Sequence, residues 1–541
     1  MSRSFHNKIL RVNLTDGQIS VEEPGAVYLR RYMGGWNIIA DVLLREVPAG
    51  ADPLGPDNKL IFAPGVLTGL AIAGASRNAV GAKSPTTGGF GASEVGGDFG
   101  AQLKRAGFDA LIVEGAAEKP VYLWIKDGEV EIRDATALWG KTSYETQKSL
   151  REELGDNRVE ISTIGPGGEN MVSFACVMNG PKDAAGRSGL GAVMGSKKLK
   201  AVAVRGTTNL PAADPETIQA LARRAAQEIR DGERAAGLAK EGTGGGALEG
   251  GIISGNIPIR NFRDGEFPEI GGLEYVVDKI GIGMEGCWAC AVRCKKVVQA
   301  EKPYEVDPEY GGPEYETIGS LGSACGVSDI VAVSKASELC NAHSLDTVCA
   351  GVSIAFAMEC FENGLLSLED TEGIDLRFGN ADAMVQMVEK IAKREGMGDL
   401  LAEGRLPAAA KIGGGAERYA VHAKGQAQPM HEPRLKRGLA IAYAISPTGA
   451  DHCHALHDTG LASPDDEGFI GSGRLRGMGV LEPMKLESLG PDKVRATIAS
   501  TLIFTAQNCL VMCFFPGWNA VSYTHLTLPT NVQQCRSRWS P

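Results

Sequence analysis

The sequence predicts an α+β multidomain protein, with a β-rich N-terminal domain followed by two mostly α-helical domains. The chain has 541 residues. A single hydrophobic core stops growing at roughly 250–300 residues, so we expect two or three domains. Short runs rich in β-branched residues dominate residues 1–207, and longer runs with apolar residues at helical spacing follow them.

Residues 1–207 form the first predicted domain. Turns containing Gly, Pro and Asp separate the runs KILRVNL, KLIFA, ALIVEG, PVYLWI, VEIR and KAVAVRG, and this pattern is typical of strands. Helical patterns interrupt these strands at only three places, about 26–45, 97–106 and 143–154. The first domain is therefore predicted to be a sheet structure with few helices.

A helix start signal at Asp214 and Pro215 marks the boundary to the helical part of the chain. We assign residues 208–404 to a helical domain that contains a cysteine-rich loop between its helices. We assign residues 405–520 to a third domain, with a polar loop (HAKGQAQPMHEPRLKRG) and helices through 436–460 and 491–512. Residues 521–541 continue no periodicity, and we interpret them as a non-native tail.

Composition excludes two functional classes. The net charge is −11, whereas nucleic-acid binding requires a basic surface. No run approaches the ~18 apolar residues of a membrane span, and the N-terminus has no apolar signal region, so we expect a cytoplasmic protein. In that compartment the 12 cysteines are better interpreted as metal ligands, core thiols or redox groups than as disulfides.

The stretch GCWACAVRC places Cys287, Cys290 and Cys294 in a C-x2-C-x3-C pattern. Thiolates at such short spacing converge within a loop and can ligate an iron–sulfur cluster. A four-iron cluster usually takes four cysteines, and Cys509 and Cys513 are the candidates for the fourth. Zinc ligation and three core thiols are the alternative interpretations.

Two glycine-rich stretches in the β-rich domain have cations beside them. The stretch 88–100 follows Arg77 and Lys83, and the stretch 186–195 contains Arg187. Glycines expose backbone N–H groups and cations neutralise phosphate, so these stretches predict an anionic cofactor; tight turns are the alternative. A third glycine run, 241–251, follows a helix rather than a strand, which argues against dinucleotide binding.

Candidate acid–base residues lie in three places. Glu314 and Glu316 flank Tyr315 shortly after the cysteine loop, and His422 and Lys424 lie in the polar loop. The third place is DHCHALHD, residues 451–458, whose H-x-H-x2-H spacing fits one face of a helix poorly, so we do not predict a metal site there.

Taken together, these motifs resemble the tungsten-containing aldehyde ferredoxin oxidoreductase family. The resemblance covers residues 5 to about 518. It rests on strings such as SRNAVGAKSPTTGGF, GGDFGAQLKRAGFDALIVEG, GRSGLGAVMGSKKLKAVAVRG and GPEYET, in the family's order. The resemblance implies a β-rich base for tungsten, or molybdenum, held by two pterins. It also implies one 4Fe–4S cluster and Mg²⁺ bridging the pterin phosphates.

The resemblance also assigns cofactor residues. It makes Cys287, Cys290, Cys294 and Cys513 the cluster ligands, and Cys513 displaces Cys509 because NCLVMCFF fits the family's final cysteine pattern. That pattern's acid is Asn508 here, and Glu94 stands where asparagine is common. The residues expected to bind the pterins are Arg77, Glu94, Gly96, Gly97, Arg187, Gly189, Gly191, Asp346, Lys424 and Asn508.

For catalysis the resemblance implies Glu316 after Tyr315 as the active-site acid and His422 as the substrate-facing histidine. Cys325 lies where some relatives, including tungsten benzoyl-CoA reductases, supply a thiolate to tungsten; a buried thiol is the stronger interpretation. We therefore expect oxidation of a small aldehyde to a carboxylate, with electrons leaving through the cluster to ferredoxin or another low-potential carrier.

Two alternative functions stay open at this point. One is a low-potential reductase of an acyl-CoA or aromatic substrate within a larger complex, and the other is a non-catalytic iron–sulfur protein. We expect a homodimer or additional electron-transfer subunits. The family's third domain usually continues well beyond its fourth cysteine, so we also expect this chain to be truncated.

Overall fold

Two six-stranded sheets form the N-terminal part of the protein. The computed structural model describes residues 4–210, 212–245, 251, 254–267, 276–462, 475 and 478–516. The predicted tail and residues 246–250 of the third glycine run lie outside these residues. The strands are β1 Ile9–Asn13, β2 Gln18–Glu22, β3 Leu60–Pro64, β4 Asn78–Lys83, β5 Phe90–Val95, β6 Ala110–Glu114, β7 Val121–Lys126, β8 Glu129–Asp134, β9 Glu160–Thr163, β10 Val177–Asn179, β11 Asp183–Ala185 and β12 Leu199–Arg205.

The first sheet has the order β2-β1-β6-β3-β4-β5, with β1 and β6 parallel and its other neighbouring strands antiparallel. Both faces are covered because alternate residues of β1 enter different cores: Leu10 and Val12 on one side, Ile9 on the other. The helix Gly35–Glu46 packs on the Ile9 side. Such two-sided burial explains the nearly continuous apolar runs of β3 and β6.

The second sheet has the order β11-β10-β9-β12-β7-β8. It shares a hydrophobic core with the first sheet, and the helices Phe99–Arg105 and Leu190–Ser196 contribute to that core. The helix Ser143–Leu154 covers the other face of the second sheet. A capping box between Thr142 and Glu145 starts this helix. The sheets therefore present a rigid base, with their loops directed at the helical part.

The structure confirms the predicted strands and the helix at 143–154. The helix predicted at 26–45 is instead two helices, Gly25–Tyr32 and Gly35–Glu46. They are separated at Gly34, whose φ is 141°. A Cβ at this position would lie 2.6 Å from the Pro64 carbonyl oxygen, so β3 approaches the break too closely for a continuous helix with side chains.

The rest of the described chain is mostly helical. Its helices are Pro215–Asp231, Glu233–Glu241, Val276–Ile280, Tyr315–Thr317, Ile330–His343, Thr347–Glu362, Ala381–Lys393, Met397–Ala402, Arg405–Ile412, Arg437–Ile445, Asp458–Ala462 and Pro491–Leu510. Among the described residues no single helix is long and apolar enough to cross a membrane; only Tyr315–Cys325 with Ile330–His343, bent by 119°, meet that test as a pair. The domain boundaries at 207 and 404 stay predictions.

Two expectations about the helical part are wrong. The cysteine loop connects the strands β13 (Gly281–Glu285) and β14 (Lys295–Val298) of a hairpin, rather than two helices. The helix predicted through 436–460 ends at Ile445, and a loop follows before the short helix Asp458–Ala462. The histidines of DHCHALHD therefore lie in a loop, where helical spacing does not limit which side chains can meet.

Candidate active site

One cavity of about 320 Å³ is lined by residues from all three parts of the chain. The sheets contribute cations and a glycine, the hairpin loop contributes cysteines, and the helical parts contribute carboxylates and an imidazole. These lining residues include Arg77, Glu94, Gly96, Arg187, Cys287, Cys290, Cys294, Glu314, Glu316, Asp346, His452 and Cys513. The cavity thus brings together most of the residues that the sequence singles out.

Cys513 meets the three cysteines of the hairpin loop at this cavity. The helix Pro491–Leu510 ends at Val511, which has a φ of 56°, and the Cys513 N–H then donates to the Gly74 carbonyl at 3.0 Å. Burial raises the pKa of the Cys290 and Cys294 thiols, and charge on the other cysteines raises it further. Four thiolates this close need a bound cation, as an iron–sulfur cluster provides.

Arg77 lies beside Cys513 and is fully buried. Its Nη2 atom donates to the Cys513 Sγ at 3.5 Å. Its cation also faces Glu94: burial raises the pKa of Glu94 to about 8, although Arg77 lowers it. Arg77 therefore lies between the cysteines and the part of the cavity that contains Glu94.

Arg187 and Asp346 form the opposite, equally buried pair. The Nε atom of Arg187 lies 3.2 Å from the Oδ2 of Asp346. The Arg187 Nη2 also donates to the carbonyl oxygens of Ala427 and Ala450, at 2.6 and 3.2 Å. Asp346 caps the helix Thr347–Glu362 through the Val348 N–H. One arginine from the sheet domain thus holds two separate segments of the helical part against the cavity.

Glu316 lies in the short helix Tyr315–Thr317, which passes directly into a π-helical turn, Ile318–Gly322. π-helical turns occur frequently at functional sites. The Oε2 of Glu316 accepts from the Met430 N–H at 2.8 Å, and its Oε1 lies 3.1 Å from the Nε2 of His431. The Tyr315 ring stacks on His431 with centroids 5.0 Å apart. The backbone thus fixes Oε2, whereas Oε1 lies near the imidazole but has no hydrogen-bond partner among the described residues.

The other nitrogen of His431 defines its tautomer. Nδ1 lies 3.3 Å from the Asn256 amide nitrogen and 3.2 Å from the Lys436 Nζ. Both of these groups donate, so Nδ1 accepts and Nε2 carries the proton that faces Glu316. Burial and the Lys436 cation lower the pKa of His431 well below its ordinary value, so this imidazole is neutral.

Lys436 connects His431 to a second buried histidine. Its Nζ lies 3.1 Å from the Nδ1 of His457, whose Nε2 faces the His452 carbonyl at 3.1 Å. Burial lowers the pKa of Lys436 to about 8. The described chain therefore contains a hydrogen-bonded series from His431 through Lys436 to His457, and the Nε2 of His431 lies 3.1 Å from Glu316.

His452 is the imidazole that lines the cavity beside Glu316, with its Nε2 3.7 Å from the Glu316 Oε1. Burial lowers the pKa of His452, but the Cys453 thiol and the carboxylates of Glu316 and Asp451 outweigh burial and raise it to about 10. His452 is therefore a cation at neutral pH. The site has one neutral and one charged imidazole at the same carboxylate.

The sequence-based choice of His422 is not supported by this geometry. His422 is half-buried in the two-strand hairpin of β15 (His422–Ala423) and β16 (Gln426–Ala427), where its Nδ1 accepts from the Gly425 N–H at 3.2 Å. The described imidazoles that face Glu316 are those of His431 and His452. The only sequence signal for them was a concentration of ionisable residues in otherwise apolar segments, which does not specify distances.

The predicted glycines divide into two groups. Gly96 lines the cavity, and a Cβ there would lie 2.8 Å from the Cys287 Sγ; at Gly97 it would lie 3.0 Å from Asp183. At Gly189 and Gly191 a Cβ would lie 2.2 and 2.3 Å from the carbonyl oxygens of Ser173 and Cys176. These last two glycines are absent from the cavity lining that the structure describes, so close helix packing explains them.

Lys424 and Asn508 also lie away from the lining that the structure describes. Lys424 is exposed in the turn of the β15–β16 hairpin, and its Nζ donates to the Ser446 carbonyl at 2.7 Å. Asn508 is buried, and its amide donates to the Cys453 carbonyl at 3.5 Å. Through these contacts Lys424 and Asn508 hold the neighbouring loops at Ser446 and Cys453 next to the site. Their contacts with a cofactor stay predictions.

Two family descriptions match almost the whole chain. The N-terminal domain of aldehyde ferredoxin oxidoreductase matches residues 9–206, and domains 2 and 3 of the same enzyme match residues 219–534. The chain belongs to the aldehyde ferredoxin oxidoreductase family. It is accordingly an oxidoreductase, and its β-rich base followed by a helical part is the fold of that family.

Relatives within the aldehyde ferredoxin oxidoreductase family are close in sequence. The tungsten-containing aldehyde ferredoxin oxidoreductase of Thermococcus kodakarensis is 41% identical, covering 94% of this chain and 82% of the relative. That of Pyrococcus abyssi is also 41% identical, covering 95% and 82%. Among solved structures, a chain of the active site complex BamBC of benzoyl coenzyme A reductase with 1,5-dienoyl-CoA superposes with a TM-score of 0.80, at 27% identity. That similarity covers 95% of this chain and 82% of the solved one.

Aldehyde ferredoxin oxidoreductases bind a tungsten bis-pterin and a 4Fe–4S cluster, and the cavity fits both groups. Four cysteines match a cluster. Several buried polar atoms of the lining have no hydrogen-bond partner among the described residues, among them Arg77 Nε, Glu94 Oε1 and Arg187 Nη1. Buried polar groups are normally paired. These atoms are therefore available to a polar ligand.

Cys325 does not fit the role of a tungsten ligand. Its thiol donates to the carbonyl oxygens of Ser320 and Gly351, both at 3.4 Å, within the apolar core. It is fully buried and is not among the described residues that line the cavity. The interpretation as a core thiol agrees with this position.

Proposed function

We propose that this chain oxidises aldehydes to carboxylates in the described cavity, using Glu316 and His452, and passes electrons through a cluster held by Cys287, Cys290, Cys294 and Cys513. The observation that carries the proposal is that four cysteines, the carboxylate of Glu316 and the imidazole of His452 line the same cavity. When bound, the tungsten bis-pterin and the cluster take up the electrons and transfer them onward.

The reaction releases protons, which groups of the protein must accept and pass on. Oxidation of an aldehyde with one water yields a carboxylate, two electrons and three protons. Glu316 is the carboxylate in the cavity that can take a proton from water or substrate, because its Oε1 has no tight hydrogen bond. The Met430 N–H holds Glu316 in one orientation while it does so.

Lys436 and His457 offer the next positions for a proton behind His431. With a pKa of about 8, Lys436 can exchange a proton near neutral pH, which an ordinary lysine does not do. With Nδ1 of His431 accepting and Nε2 carrying the proton, the donors of this series run from Lys436 toward Glu316, so it can return a proton to the Glu316 side of the cavity.

His452 supplies the complementary charge. Its cationic imidazole lines the cavity and can donate a hydrogen bond to the carbonyl oxygen of the substrate, on which negative charge develops during attack by water. This is the role first expected of His422. Preorganised donors of this kind contribute ~2.7–4 kcal/mol to transition-state stabilisation.

The reductase alternative receives less support. It rested on a thiolate from Cys325, and that thiol is hydrogen-bonded to two carbonyl groups in the apolar core. The structural neighbour is a benzoyl coenzyme A reductase complex at 27% identity, whereas the aldehyde ferredoxin oxidoreductases reach 41%. The electron acceptor that we propose is ferredoxin; the homodimer or additional subunits stay predictions.

The test is metal analysis of the protein produced with tungstate, combined with aldehyde-dependent reduction of a low-potential dye and of ferredoxin. We expect about one tungsten and about four irons for each chain, and dye reduction that requires an aldehyde. Iron without tungsten or molybdenum, or oxidation of a reduced low-potential dye by an acyl-CoA substrate with no dye reduction by aldehydes, would overturn the proposal.

A further inference from the structure

Lys295 places a cation directly at the predicted cluster. It follows Cys294 as the first residue of β14, and its Nζ lies 2.5 Å from the Oδ1 of Asp183. The ammonium group of Lys295 is also close to the thiol of Cys287, since both lie within 4 Å of the Cβ position of Gly96. The side chains of Lys295 and Asp183 are only 17% and 14% exposed, so solvent screens this ion pair weakly.

Two adjacent glycines, Gly96 and Gly97, leave the space that this arrangement needs. A Cβ at Gly96 would lie 2.8 Å from the Cys287 Sγ, 3.4 Å from the Asp183 Oδ1 and 3.9 Å from the Lys295 Nζ. The thiol, the carboxylate and the ammonium therefore converge on one point of the β5 loop. A side chain at Gly96 would separate them. The absence of a side chain there therefore keeps the three groups together on the cluster side of the cavity.

We propose that the Lys295–Asp183 pair sets the reduction potential of the iron–sulfur cluster through Cys287. This inference rests on the proposed cluster ligands. Reduction adds an electron to the cluster, so a cation beside a ligand sulfur favours the reduced form. Asp183 partly neutralises that cation and disfavours the reduced form, so the two residues act with opposite sign.

Lys295 is better suited to this role than the other cation at the cysteines. Arg77 contacts Cys513 but also faces Glu94 and the part of the cavity with unpaired polar atoms, so it serves two groups at once. The polar contacts described for Lys295 are with Asp183 and Cys287. A change at Lys295 therefore acts on the cluster while leaving the pterin contacts in place.

The experiment is a redox titration of the cluster in the holoenzyme, monitored by electron paramagnetic resonance. We expect Lys295→Met to make the midpoint potential more negative and Asp183→Asn to make it more positive. At the wild-type midpoint the ratio of reduced to oxidised cluster should change on the order of tenfold, as for loss of one partly neutralised charge beside a ligand. Lys295→Arg should stay close to wild type.

Lys335→Met is the matched control, because Lys335 forms a similar pair with Glu338 at 2.7 Å and does not line the described cavity. Shifts of the same sign in Lys295→Met and Asp183→Asn, or none in either, would overturn the inference. If Lys295→Met loses iron, the midpoint potential of Asp183→Asn is the test by itself. A more positive midpoint would support the inference, and an unchanged or more negative midpoint would overturn it. Failure of the cluster assignment itself is distinguishable, since Cys287→Ser would then retain all iron.

Discussion

The Nε2 atom of His431 lies 3.1 Å from the Oε1 of Glu316, and the opposite side of the same imidazole faces Lys436. A donor on one side of a neutral imidazole requires the proton to be on the other side. The proton on Nε2 therefore faces the Glu316 carboxylate, and the Met430 N–H holds that carboxylate in place in the cavity.

Replacing Glu316 by Gln should lower kcat by ~10²–10⁴-fold, because the amide keeps the shape but cannot accept a proton. Tungsten and iron contents should be unchanged, since Glu316 is not among the proposed ligands. Steady-state aldehyde oxidation with metal analysis measures both. Glu369→Gln, at an exposed position, is the control. Full activity of Glu316→Gln would remove this residue from the mechanism.

The two candidate histidines can be separated directly. His452→Gln should lower kcat by ~10²-fold, because the cation at the cavity is lost. His422→Gln should lower it only slightly, since His422 contacts the Gly425 N–H in a hairpin. Comparison of kcat for the two variants decides between them. A large loss in His422→Gln with none in His452→Gln would restore the sequence-based assignment.

Cys513 and Cys509 form a second matched pair. Cys513→Ser should lose the cluster, because Cys513 lines the cavity with the three loop cysteines. Cys509→Ser should keep it, since the buried Cys509 is not part of the described lining. Iron content and the visible absorption of the cluster measure the difference. Equal iron in both variants would contradict the assignment of Cys513.

The pH dependence of activity should report Lys436. The pKa of this lysine is lowered to about 8 by burial, although Asp458 and Glu316 raise it; His431 and His457 are its other neighbours. Below pH 8 it is a cation facing Glu316, and above pH 8 that charge is lost, so kcat should fall with a midpoint near 8. Lys436→Arg should abolish this midpoint, because arginine stays charged. An unchanged profile in Lys436→Arg would exclude Lys436 as its origin.

Gly191→Ala should reduce stability by ~1–3 kcal/mol, because its Cβ would lie 2.3 Å from the Cys176 carbonyl oxygen. Gly237→Ala is the control, since nothing lies within 4 Å of a Cβ there; it should be neutral or slightly stabilising. Apparent thermal midpoints compare the two variants. Loss of tungsten from a normally stable Gly191→Ala variant would instead support cofactor contact.

Much of the fold follows from the sequence. The strands β1, β3, β6, β7, β8 and β12 were predicted because each is a short β-rich run between turn residues, a signal that is local to the run. The cysteine triplet was equally visible, since its three thiols lie within one loop. The break at Gly34 was not, because its cause is the approach of Pro64 from a distant strand.

The active site depended more on tertiary structure. The resemblance implied Glu316 together with His422, but the histidines near Glu316 are His431 and His452, which reach it from two separate loops. Likewise, the motif identified Gly189 and Gly191, but the structure assigns them to packing. Local patterns determine which residues can bond; only the packing of helices onto the sheets determines which of them meet, because contact energies depend on distance in space.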